Sequence, residues 1–276
     1  MEEHTQSEDF NLSSYFANGD NTLGLLRQLN RFPDYSIENR FSIHKQRPSA
    51  IAVTNLSKLK ELGYTVKDNA HPIKIMVPTA SDKKTTGFVY DISQTNLPID
   101  QIYRLYPNRY FDFNIQLNDD RSQLNHKLEK FADSKNVSLN SDDFFNPFNP
   151  YEATSCLIDE VSALQSHDLG KNINSRKLEE LQGKMTSYLV HDSFAMNISD
   201  EVSEYIDNWT NEKGEKINDL SNQEQLSLLK NVTLSTDCII NKLNGSNLGM
   251  EERRATDFSF FGNESMAQEL DNGLDR

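Results

Sequence analysis

Two cysteines and one tryptophan in 276 residues leave this sequence without the residues that staple small secreted domains. Cys156 and Cys238 lie in helical patterns and have no metal-type spacing, so they read as reduced packing residues rather than as disulfide partners or nucleophiles. No stretch approaches the ~20 apolar residues that a membrane span needs. The start Met1-Glu2-Glu3-His4 has neither a basic region nor an apolar stretch, so no secretory leader is expected. Mean hydropathy is −0.69, which predicts small cores joined by polar loops, with disorder at both ends. A cytoplasmic protein with no membrane partner is expected.

What the chain has in excess is acid: 42 Asp and Glu against 28 Lys and Arg, a net −14. The basic residues are nevertheless segregated. Residues 27–90 hold eleven Lys/Arg against five Asp/Glu, so this stretch carries +6 and the remainder −20. A uniformly acidic chain repels nucleic acid, whereas a segregated one can bind a polyanion through one face while the rest keeps it in solution.

The pattern predicts an α+β protein: a small mixed N-terminal domain followed by a mainly helical one. Residues 1–20 read as a disordered acidic N-terminus, 21–135 as the first domain, 136–150 as a linker, 151–244 as the helical domain and 245–276 as a flexible tail. Leu23, Leu26 and Leu29 recur at helical spacing, and residues 50–53 read as a short strand. Thr54 is the expected N-cap of a short helix carrying Leu56, Leu59 and Leu62, which Gly63 stops. Residues 73–77 and 88–92 read as strands of a basic hairpin joined around Lys83 and Lys84. Phe111, Phe113, Ile115 and Leu117 alternate as a strand, and Leu124, Leu128 and Phe131 mark a helix. Four further helices are predicted from Leu157/Val161/Leu164, Leu178/Leu181/Met185/Tyr188, Val202/Tyr205/Ile206/Trp209 and Leu229/Val232/Ile239/Leu243. Trp209 reads as a core anchor of that cluster.

Five segments carry a resemblance. Phe32-Pro33-Asp34-Tyr35-Ser36-Ile37-Glu38-Asn39, Gln46-Arg47-Pro48-Ser49-Ala50, Gly63-Tyr64-Thr65-Val66-Lys67, Ile73-Lys74-Ile75-Met76-Val77-Pro78 and Val89-Tyr90-Asp91-Ile92-Ser93-Gln94-Thr95 match in order and spacing the pattern F-x-x-Y-S-x-x-N, Q-x-P-x-A, a lysine-containing turn, I-x-I-x-x-P and F-D-x-S-Q-T. In this the chain resembles the N-terminal domain of the ArdC antirestriction and LtrC-like proteins of plasmids and other mobile elements. The resemblance implies single-stranded DNA binding, which the basic island suggests independently. It departs from the family at Leu59, near which members commonly carry a tryptophan, and at Asp68-Asn69-Ala70-His71-Pro72, where they have a Gly-Glu-Lys turn. Candidate DNA contacts are Tyr35, Asn39, Arg40, Lys45, Gln46, Arg47, Tyr64, Lys67, Lys74, Lys83 and Lys84, with Phe41 and Tyr90 as further stacking candidates. Asn39 and Gln46 are equally well read as polar residues that fix the fold.

The second half resembles the zincin-like metallopeptidase part of the same proteins, in a degenerate form. Where members show I-x-H-E-x-x-H on one helix and a carboxylate on the next, this chain has Asp159 and Ala163 at the histidine positions, Glu160 at the general-base position and Lys184 at the third ligand. Two histidines one turn apart and a third ligand make an open zinc site; alanine cannot ligate, and lysine brings a positive charge. No metal, no cofactor and no catalytic residue are therefore expected. His167 and His191 lack a third ligand, which leaves them as surface or core residues. The resulting expectation is a non-enzymatic single-stranded DNA-binding protein of a mobile element or phage, of antirestriction or DNA-transfer accessory type. The competing class is an acidic interaction protein or DNA mimic that inhibits a host nucleic-acid enzyme or defence system through its helical half.

Overall fold

The computed structural model describes residues 12–78, 84–98, 121–146, 149, 151–169, 176–194, 196–209 and 213–244. The fold is mixed α+β, as the pattern predicts: a three-stranded antiparallel sheet and a mainly helical remainder. The chain divides into two compact units. One comprises described residues 12–27 and 121–244, the other 28–98, so the division falls inside the first helix, after Arg27. The expected strand at 111–117, the acidic start 1–11 and the tail from 245 lie outside the described residues.

Helix α1 (Gly19–Asn30), whose last residues from Gln28 belong to the sheet unit, leads there into α2 (Ile37–Gln46), strand β1 (Val53–Thr54), α3 (Leu56–Glu61), β2 (Ile73–Pro78) and β3 (Lys84–Asp91). The strand order is β1-β3-β2, so β2 is an edge. Ile73, Ile75 and Val77 alternate inward and pack with Val89, Val53, Ile43, Phe32 and Tyr35 in one core. Gly87 lies opposite Ile75, and a Cβ there would stand 2.9 Å from a Val77 methyl. The glycine thus lets the hairpin close over the core.

Two local expectations need correction. The strand expected at 50–53 is reduced to Val53–Thr54, because the amides of Ile51 and Ala52 bond the Asp91 carboxylate instead of a neighbouring strand. Thr54 is therefore a strand residue, and Asn55 caps α3 by accepting from Lys58 N. Gly63 does end that helix, at a φ of +79° that suits glycine. Helix α2 has no apolar stripe in its pattern; it begins at the Ser36 cap, whose hydroxyl accepts from Asn39 N.

In the helical unit, α4 (Ser122–Asp133), α5 (Glu152–Leu169), α6 (Arg176–Ser193), α7 (Ser199–Asn208) and α8 (Asn222–Leu243) carry the predicted apolar positions. Leu124, Leu128, Phe131, Leu157, Val161, Leu181, Met185, Val202, Leu229, Val232 and Ile239 are all buried. Trp209 is buried, and its indole N–H donates to the Lys177 carbonyl at 3.0 Å. The limits of 21–135 for the first domain and 136–150 for a linker do not match this packing. α4 joins the helical unit, and a 3-10 turn at Ser141–Phe144 packs against α5. Nor are residues 12–20 loose: Leu12 and Phe16 are buried one helical turn apart, and the Gly19 amide donates to Asp207 Oδ1 at 2.7 Å.

Candidate nucleic-acid interface

The structure sorts ten of the eleven candidate contacts, those among the described residues, into residues that build the sheet unit and residues that stand on its surface. Asn39 and Gln46, seven residues apart on one face of α2, both reach the outer edge of β2. The Asn39 carboxamide donates to the Met76 carbonyl and accepts from the Met76 amide, each at 2.8 Å. Gln46 does the same at Lys74, donating at 2.8 Å and accepting at 2.9 Å, while the Ser42 hydroxyl donates to the same carbonyl at 2.9 Å. Each side chain makes the pair of bonds that a neighbouring strand would make. The next outward-facing residue is Pro78, which has no N–H to satisfy. The edge of β2 is closed by side chains.

Arg40 is buried, and this corrects its reading as a phosphate contact. Its guanidinium donates to the carbonyls of Tyr35 and Pro33 at 2.8 Å and of Leu29 at 3.4 Å, so it ties the last turn of α1 to the segment that leads into α2. Tyr35 and Phe41 are also buried. The Tyr35 hydroxyl donates to Val53 O at 3.2 Å, and neither ring is placed to stack on a base. Tyr64 packs its half-buried ring against Ala52, Ile92 and Leu97.

The Asp91-Ile92-Ser93-Gln94-Thr95 motif is likewise a fastening. The fully buried Asp91 carboxylate accepts from Ile51 N at 2.8 Å, Ala52 N at 3.1 Å and Ser93 N at 3.1 Å, and lies 3.6 Å from Arg47 Nε. Gln94 accepts from the Asp91 amide at 3.0 Å and donates to His71 O at 2.7 Å. Lys67 Nζ donates to Ser93 O at 2.8 Å. Arg47 donates to the Ser93 hydroxyl at 3.0 Å. Both cations are thus anchored at one end of β3, with Lys67 exposed and Arg47 half-exposed. All five motif segments meet here or at the β2 edge.

The exposed lysines among the candidates are Lys45, Lys67, Lys74 and Lys84; Lys83 lies outside the described residues. Lys74 and Lys84 share the outer face of the hairpin. The register pairs Lys74 with Phe88, Met76 with Thr86 and Pro78 with Lys84, and paired residues point to one side of a sheet. Since the backbone groups of residues 74 and 76 point outward to α2, 74/88 and 76/86 are the close pairs of the ladder, with Cα atoms about 4.5 Å apart. Phe88 and Tyr90 are half-buried and Met76 is 45% exposed. Tyr90 stands two residues beyond Phe88 on the same face. The sequence reading marks Lys74, Lys84 and Tyr90 but misses Phe88 and Met76; alternation in phase with Lys84 and Tyr90 was the available signal.

In the helical unit the aligned positions do come together. Lys184 Nζ lies 3.8 Å from Asp159 Oδ2 and 3.3 Å from Glu201 Oε1, so an ammonium stands between two carboxylates. Glu160 and Ala163 are exposed. Behind this pair His191 is fully buried, 2.8 Å from the Ser155 hydroxyl through Nε2 and 2.9 Å from the Ser187 carbonyl through Nδ1. A carbonyl only accepts, so Nδ1 carries the proton and Nε2 accepts from Ser155. The Ser187 hydroxyl donates to Asp159. Burial holds the His191 pKa below its ordinary value. His167 is exposed and pairs with Glu179 at 2.7 Å. Among the described residues no group of three or more His, Cys, Asp or Glu is arranged to hold a metal ion, and no helix is long and apolar enough to cross a membrane. Cys156 and Cys238 are free thiols, both partly buried.

The chain is 22% identical over 265 residues to an uncharacterized pXO2 protein of Bacillus anthracis, an alignment that covers 72% of this chain and 44% of that protein. The chain therefore spans less than half the length of this relative. No family model matches the chain, and no solved structure matches it.

Proposed function

We propose that this chain is a non-enzymatic, cytoplasmic single-stranded DNA-binding protein of a mobile element, of the antirestriction or DNA-transfer accessory type that its motifs resemble. The observation that carries the reading is the placement of positive charge. The +6 of residues 27–90 belongs almost entirely to the sheet unit, and its exposed members Lys45, Lys67, Lys74 and Lys84 stand on a scaffold whose polar motif residues are already satisfied internally. The acidic remainder disfavours any nonspecific wrapping of duplex DNA. The relative's pXO2 name fits an element-borne setting. The absence of enzymatic action rests on Ala163 and Lys184 at positions where a zinc peptidase needs ligands.

The test uses the full chain and one sequence presented as single-stranded DNA, as duplex and as RNA, titrated across salt. Single-stranded DNA is expected to bind more tightly than duplex. The logarithm of its affinity should fall linearly with the logarithm of salt, with a slope of about −2 to −3 if three or four phosphates are neutralised. No binding at low salt, or equal affinity for duplex, overturns the reading.

A further inference from the structure

We propose that the outer face of the β2–β3 hairpin is a base-stacking platform, with Phe88 and Tyr90 as its two aromatic seats, Met76 as the apolar floor beside them, and two phosphate contacts, Lys74 across from Phe88 and Lys84 at the start of β3. This rests on the single-stranded DNA reading and names the site where it acts. The register places the five residues on one face, opposite the face that Ile73, Ile75, Val77 and Val89 bury in the core. A half-buried Phe and a 45% exposed Met on a sheet face that could have been wholly polar cost solubility unless something covers them.

The occupant follows from the chemistry of the patch. An apolar peptide would gain nothing from the two lysines on this face, and a duplex hides the faces of its bases. Alternate residues on a strand are about 6.8 Å apart, twice the ~3.4 Å rise per nucleotide of a helical strand. Two bases can therefore sit on Phe88 and Tyr90 only when the nucleic acid is single-stranded and drawn out from its helical form. Its phosphates then run outside the bases, where Lys74, opposite Phe88, and Lys84, two residues before Thr86, stand exposed. Stacking is tolerant of sequence because every base has a π-face, so the platform holds DNA without reading it. The edge of β2 is taken by Asn39 and Gln46, so strand addition by a peptide at that edge is blocked.

The experiment measures binding of the full-length protein to a fluorescein-labelled thymidylate 20-mer at low salt, for the unaltered chain, Phe88→Leu, Tyr90→Leu, Tyr90→Phe, and Lys74→Ala combined with Lys84→Ala. Leucine keeps bulk and burial but removes the π-face, so each leucine variant is expected to remain folded and to bind roughly 5- to 100-fold more weakly. Tyr90→Phe should bind as the unaltered chain does. The double lysine variant should lower the salt slope by about 1.4. Ultraviolet crosslinking of an oligonucleotide carrying iodouracil, mapped by mass spectrometry, should place the adduct on Phe88 or Tyr90 whatever the variants do. If the unaltered chain binds while both leucine variants match it and the adduct maps elsewhere, the platform is wrong and the single-stranded DNA reading stands; if the unaltered chain does not bind, both fall.

Discussion

Replacing Asn39 by alanine removes both bonds that the α2 carboxamide makes to Met76, and the structure indicates what this costs. Both are 2.8 Å long and Asn39 is 4% exposed, so water does not readily take its place. Two net hydrogen bonds at about 1 kcal/mol each, plus the penalty for an N–H and a C=O left poorly satisfied, give a loss of about 2–4 kcal/mol. Gln46→Ala makes the contrasting case. It removes the equivalent pair at Lys74, but Gln46 is solvent-exposed and water can replace it, so the loss should stay under about 1 kcal/mol. Chemical denaturation followed by a probe in the sheet unit measures both, and hydrogen exchange should show the Met76 amide losing protection in Asn39→Ala but keeping it in Gln46→Ala. Asn39→Asp should be nearly as damaging, because a carboxylate can accept from Met76 N but only repel Met76 O. Equal, small losses for the two alanine variants with unchanged exchange at residue 76 would refute the view that a buried amide clamp holds the edge of the hairpin.

Three other expectations are independent of that one. Arg40→Lys should destabilise the sheet unit by about 2–3 kcal/mol, because one ammonium cannot serve three carbonyls spread around a planar fork; the folded fraction should bind single-stranded DNA as before, and a specific loss of affinity would return Arg40 to the interface. His191 is held neutral by burial, so the unfolded chain takes up its proton more readily than the folded one. Stability from this group is therefore complete above about pH 6.5 and is lost as pH falls through the lower folded value. His44 shifts in the same direction in the sheet unit, so the readout must be local: relative to the intrinsic exchange rate at each pH, protection in α6 should fall between pH 7.5 and 5.5 and do so much less in His191→Gln. Finally, protein purified without a tag should carry well under one zinc per chain by elemental measurement, since Lys184 stands against Asp159 and Ala163 cannot ligate; one tightly held zinc, lost when Asp159 and His167 are replaced, would show the site to be misread.

Regular packing was legible in the sequence and long-range polar pairing was not. Leu124, Leu128 and Phe131 mark α4, and Ile73, Ile75 and Val77 mark β2, because burial imposes a period on the chain. Helix α2 escapes that logic. Its buried residues include Asn39 and Arg40, which count as polar in any pattern although their partners lie as far away as Met76. Charge is read from sequence without its neighbours, so Arg40 looked like a phosphate contact until the carbonyls around it were in view. The division between the units was hidden for a related reason: α4 follows the sheet unit in sequence but packs on α5, from which residues 134–151 separate it.

The closure of the β2 edge has a consequence for how this surface can change. The bonds by which Asn39 and Gln46 hold residues 74 and 76 all go to main-chain atoms. The frame is thus indifferent to what residues 74 and 76 are, short of proline. Lysine and methionine at these positions can be exchanged for other residues without shifting the register or opening the edge, so what the face presents can change one substitution at a time, while Asn39 and Gln46 are held by the fold itself. Among relatives, substitutions at residues 39 and 46 should then be scarce, whatever side chains stand at 74 and 76.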